Sequence, residues 1–169
     1  MPILVRRINR AKWEQIINED DASDSSADAI TNCLKTTNND LSVWKIENIE
    51  QLENAILALI TGGQQTKLST LHYVLINEDV LLANGLNIAE TEGDTRIESL
   101  KNNHRDITNL TYTRLGIVKN LVIDCLAEDP NRETFFTRAK LKELLKKAID
   151  NGIVKKSDLN EELIQNEKL

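Results

Sequence analysis

The sequence predicts an α/β (or α+β) domain with a small mixed sheet of three to four strands, a βαβ unit around residues 41–76 and a helix-rich C-terminal half. Three observations carry this. Leu41–Ile46 (LSVWKI) and residues 71–76 (LHYVLI) are short apolar runs of strand length. Between them Ile49, Leu52, Ile56 and Leu59 recur at the spacing of one helix face. Beyond residue 95 the apolar residues fall almost wholly on helical periods.

In chain order, Ile3–Ile8 reads as a strand with Ile3 and Val5 on one face. Residues 19–28 (EDDASDSSAD) have no apolar period and read as a solvated loop. Ser25 or Ser26 can cap a helix running to about Lys35, followed by a turn over 36–40 and the strand 41–46. Asn48 and Gln51 have the spacing of a capping box for the next helix, which Gly62 and Gly63 end. The strand 71–76 is apolar on both faces except at His72, which predicts a central, parallel partner for 41–46. Asn77 opens a short helix that Gly85 stops, with Leu86 folding back toward Leu81.

Thr95 and Glu98 suggest a further capping box, opening a helix with Ile97, Leu100, His104 and Ile107 in one stripe. A helix from about 111 to 127 follows, with Leu115, Val118, Val122 and Cys125 in register. Asp129-Pro130 breaks it and starts a long helix to Asn151, and a short helix begins at Ser157. The organisation expected is an α/β core over 1–129 and a C-terminal helical hairpin over 130–169, packed on the same domain.

Composition narrows the function classes. Aromatic residues make up only 4% of the chain, too few for base-stacking platforms. The net charge of −6 disfavours a nonspecific coat on nucleic acid or anionic membrane. Two cysteines and no Cys-x-x-Cys pair give no disulfide framework and no zinc knuckle. Arginines within the first ten residues rule against an apolar signal segment, and no apolar run reaches the roughly 18 residues of a membrane span, so a cytoplasmic protein without membrane partners is expected.

Searches for chemistry by motif fail one after another. His104-Arg105-Asp106 matches the tripeptide of a protein-kinase catalytic loop. However, Thr111 stands where a metal-binding Asn belongs, and neither a Gly-rich loop nor Asp-Phe-Gly occurs. Starting an EF-hand at Asp20 puts Ala22 at a ligand position and Ser25 where Gly is required. Phosphate loops and nucleophile elbows are absent, and His72 and His104 would need two more ligands for a zinc site while Cys33 and Cys125 lie on core-facing helical stripes, so no metal or cofactor is expected. The catalytic candidates are His104, on the apolar stripe of its expected helix, and His72, near the amino end of its strand. Each would need a carboxylate from another element to act as a general base. Trp44 reads as packing on a sheet face.

Charge segregation is the stronger signal. Residues 1–12 carry Arg6, Arg7, Arg10 and Lys12 with no acid, and residues 131–156 carry eight basic residues against three acids. Arg138, Lys142 and Lys146 are four apart and form one ridge of a helix. The reading is a non-catalytic interaction or regulatory protein, such as an adaptor, antitoxin or immunity-type binder. Arg138, Lys142, Lys146, Arg6 and Arg7 are its candidate binding residues and another protein its expected partner. Two alternatives stand beside it: a small enzyme using His104 or His72 with a distant carboxylate, and a nucleic-acid-binding accessory protein using the basic C-terminal helix.

Overall fold

The computed structural model describes residues 1–13, 27–128 and 134–169. The acidic stretch 19–28 lies outside the described residues but for Ala27 and Asp28, as do the Ser25/Ser26 cap and the Asp129-Pro130 break. Six strands form one antiparallel sheet: β1 (Ile3–Ile8), β2 (Leu41–Ile46), β3 (Leu71–Asn77), β4 (Asn87–Glu90), β5 (His104–Thr108) and β6 (Phe135–Phe136). Their order is β4-β5-β2-β1-β3-β6. The helices are α1 (Ala27–Cys33), α2 (Leu52–Ile60), α3 (Glu78–Ala83), α4 (Tyr112–Ala127), α5 (Arg138–Asp150) and α6 (Glu161–Glu167).

The general mixed class expected from the sequence holds, but the sheet is larger and differently connected. β2 and β3 run parallel to each other without sharing a hydrogen bond, because each pairs antiparallel with β1, which lies between them. The reason is the two-faced burial of β1. Leu4 and Val5 point to opposite faces and are both fully buried, so β1 needs a neighbour on each edge and cover on each side. Leu4, Ile8, Val43, Val74, Ile76 and Ile107 form one core with α1 and α4. Val5, Trp44, Ile46, Leu71 and Tyr73 form a second core with α2, α5 and α6. The sheet is thus sandwiched between two helical layers, and residues 138–163 share the second core with β1, β2 and β3.

Some local signals held, at the 36–40 turn and at both ends of the helix after Asn77. Asn38 and Asn39, at φ 55° and 66°, make a left-handed two-residue turn closed by the Thr37–Asp40 bridge. The Asn77 side chain accepts from the Asp79 and Val80 amides, and Gly85 at φ 75° returns the chain so that Leu86 N–H donates to the Leu81 carbonyl. At α2 the expected capping box is shifted. Asn48 makes no side-chain cap, and Gln51 Oε1 accepts from the Glu47 amide, so a 3₁₀ turn over Ile49–Gln51 precedes the helix.

Two expected helices change. The helix across Ile97, Leu100, His104 and Ile107 is a 3₁₀ turn (Glu98–Asn103) followed by β5, which pairs with β2 and β4. Thr95 Oγ1 does accept from Ile97 N–H, but it also meets Thr61 Oγ1 at 2.7 Å, tying this segment to the end of α2. The long helix expected from Pro130 begins instead at Arg138, capped by Thr137, and Phe135–Phe136 pair with β3 as its outer neighbour.

The helical layer over the second face is pinned by a buried carboxylate. The Glu167 side chain is fully buried. It accepts from Arg138 Nε and Nη2, both at 3.1 Å, and from the Leu68 amide at 2.9 Å. This two-pronged pair joins α6 to α5 and to the loop before β3. Replacing Arg138 with Ala leaves that carboxylate with one donor. We expect a loss of about 2–3 kcal/mol by urea denaturation, against less than about 0.5 kcal/mol for Lys142→Ala on the open face of the same helix.

Candidate functional site

β1 stays paired with β3 as far as Ile8–His72, but its pairing with β2 ends at Val5–Trp44. Beyond that point the two strands part, and the Ser42 carbonyl accepts from Arg6 Nη1 at 2.7 Å. The same guanidinium donates to the Cys33 carbonyl from Nε at 3.1 Å and Nη2 at 2.8 Å. A cation is thereby fixed at the carboxyl end of α1, where the unpaired helix carbonyls favour positive charge. Burial lowers the Arg6 pKa from its ordinary value; the interaction with Cys33 opposes this and the neighbouring Arg7 cation adds to it.

A cleft of about 530 Å³ opens at this end of the sheet. Arg6, Arg7, Ile8 and Asn9 line it from β1 and its exit, Asn32 and Cys33 from α1, Leu59 from α2, and Ser69, Thr70 and His72 from the start of β3. Three candidates named for separate reasons, Arg6, Arg7 and His72, therefore meet in one place. His72 is half-buried and tilts against Phe135, with ring centroids 5.5 Å apart. Its position at the amino end of β3 does not remove it from a crevice, because in an antiparallel sheet that end lies beside the carboxyl end of β1. Among the described residues, no Asp or Glu lines the cleft.

His104 stands elsewhere. It is the first residue of β5, 8% exposed, and its Nδ1 lies 2.7 Å from Thr91 Oγ1. Its ring meets Trp44 edge-on at 5.1 Å. Gly93 packs against both: a Cβ there would lie 2.4 Å from Trp44 Cη2 and 2.8 Å from His104 Cβ. On a strand His104 and Asp106 share a face, which the helical reading did not allow. Asp106, however, accepts from Ser42 Oγ at 3.2 Å, and its charge is felt at His104 only through space. Burial is the main cause of a lowered His104 pKa, opposed by Asp106, so the ring is neutral at neutral pH.

The basic ridge divides. Arg138 is committed to Glu167. The side chains of Lys142 and Lys146, with that of Lys147, make no hydrogen bond or ion pair among the described residues. They share the outer face of α5 with Glu143 and Asp150, opposite the buried Leu141, Leu144, Leu145 and Ala148. Among the described residues, no three His, Cys, Asp or Glu side chains are grouped to hold a metal ion, and no helix is long and apolar enough to cross a membrane.

Comparison with protein-family models, curated proteins and solved structures gives no match. The site therefore rests on its own geometry. Asn9, Asn32, Ser69 and Thr70 carried no sequence signal, because it takes the pairing of β1 with β3 and the seating of α1 on Arg6 to bring them together.

Two outcomes test the His104 nest. A histidine whose native pKa is lowered contributes stability that is complete above its unfolded value of about 6.5 and is lost as pH falls toward the native pKa. The urea midpoint should therefore drop from pH 7.5 to pH 5.5, and by less in His104→Asn; equal drops would assign the pH dependence to other groups. Gly93→Ala should cost about 1–3 kcal/mol in the same assay, with altered Trp fluorescence, since the added methyl overlaps Trp44.

Proposed function

We propose that this chain is a non-catalytic binding protein that presents the outer face of α5 to a protein partner with an acidic surface. One observation carries the reading: Lys142, Lys146 and Lys147 are uncommitted cations on a helix whose own position is fixed by the Arg138–Glu167 pair. A rigid element with free charges loses little conformational freedom on docking, and its charges set partner choice and association rate.

The arrangement of the two histidines supports binding over acid–base catalysis. His104 packs in the interior against Trp44, and the cleft that holds His72 has no carboxylate among the described residues. A protein partner is favoured over nucleic acid because Glu143 and Asp150 stand among the lysines. A phosphate backbone would meet those carboxylates repulsively, whereas a mixed-charge protein surface can match both signs. With Arg138 drawn away, the face also lacks the planar guanidinium best suited to phosphate. The reading carries a cytoplasmic setting, in which Cys33 and Cys125 remain thiols.

The test is affinity purification of the tagged full chain from its native cell, beside a Lys142→Glu/Lys146→Glu/Lys147→Glu variant. The expected result is a stoichiometric acidic protein retained by the wild type at low salt and lost by the variant. Recovery of the chain alone, of the same partner with both forms, or of nuclease-sensitive nucleic acid would overturn it.

A further inference from the structure

We propose that the cleft where β1 ends beside β3 binds a small molecule carrying an oxyanion, phosphoryl or carboxylate, with Arg7 as its principal contact. This inference is independent of the α5 face. Arg7 is exposed and its side chain makes no hydrogen bond or ion pair among the described residues, although it lines the cleft. Arg6 beside it is immobilised by three donated hydrogen bonds to the Cys33 and Ser42 carbonyls. The cleft thus has one fixed cation in its wall and one movable cation at its rim.

These two cations are adjacent in the chain; burial is the main cause of the lowered Arg6 pKa, and the Arg7 charge adds to it. No lining carboxylate among the described residues offsets their charge. In a chain of net charge −6 such a locally positive lining, among the described residues, is a departure from the whole, and an anion bound at Arg7 would offset that charge. Guanidinium groups grip phosphate and carboxylate through paired N–H donors. Asn9, Ser69 and Thr70 add neutral hydrogen-bonding groups for the rest of the ligand. The volume of about 530 Å³ suits a small organic molecule and far exceeds a bare ion.

The experiment is a titration of the isotopically labelled full chain with pyrophosphate and, separately, with citrate at matched ionic strength, followed by amide chemical shifts. Saturable shifts at Asn9, Ser69, Thr70 and His72 with either probe support the site, and the probe that binds more tightly distinguishes phosphoryl from carboxylate. Arg7→Ala, which removes an exposed side chain, should weaken binding by roughly tenfold or more. Arg7→Lys should restore part of the loss, and Lys142→Ala should leave it unchanged. Absence of saturable shifts with both probes, shifts confined to α5, or unchanged affinity in Arg7→Ala would each overturn the proposal while leaving the protein-binding reading of α5 untouched.

Discussion

The position of β1 between β2 and β3 is the constraint on which the rest of the molecule depends. All six of its residues pair with β3 and the first three also pair with β2, and it sends Leu4 and Val5 into opposite cores, so both helical layers pack on it. The pairing is unequal in length, and that inequality has consequences. Contact with β3 continues through Ile8, whereas contact with β2 stops at Val5. At the parting point the exposed Ser42 carbonyl no longer faces β1, and it finds a donor in a side chain instead. The Arg6 side chain is that donor and ties in the last carbonyl of α1. The cleft, its positive wall and the seating of α1 all follow from one strand pair ending early.

The two helical layers are secured by different means. α4 lies on the sheet through an apolar stripe, with Val118 and Val122 fully buried. α5 buries four apolar residues on one side in the core that it shares with Leu163 of α6, and Glu167 adds an electrostatic tie between the two helices. That division explains how one helix carries cations of two kinds. Arg138 faces a carboxylate shielded from water, where a bidentate pair is strong. The lysines on the outer face stand in water, where their charges contribute little to stability and remain available to a partner.

Much of the local structure was legible in the sequence because short-range chemistry dictates it. β1 and β2 have the expected limits, and α3 begins and ends where Asn77 and Gly85 require. β5 was not legible, since Ile97, Leu100, His104 and Ile107 satisfy a helical period, and only cross-strand pairing with Val43 and Trp44 decides for a strand. β4 holds one large apolar residue, Ile88, and β6 is two residues long, so neither produces a pattern. The insertion of β1 within the strand–helix–strand unit is a tertiary choice beyond any local window. The same limit applies to the cleft: Arg6, Arg7 and His72 each stood out by charge or by context, but their meeting depends on a register between residues more than sixty positions apart.

The Glu167 contact also bears on the order in which the molecule assembles. Its carboxylate reaches back 99 residues to the Leu68 amide, and the sheet pairs β1 with β3 and β2 with β5 across similarly distant stretches. Contacts this far apart must close large loops before they return any stabilisation, which slows folding. During synthesis, the first core can gather around α1, β3 and α4 while α6 is still within the ribosome. The second layer packs over Val5 and Trp44 through α2 and α5, but its link from α5 to α6 and residue 68 is complete only when residue 167 is made. For that interval the apolar side of α5 lacks the cover of Leu163 and the clasp of Glu167, so this half of the molecule is the last to be closed.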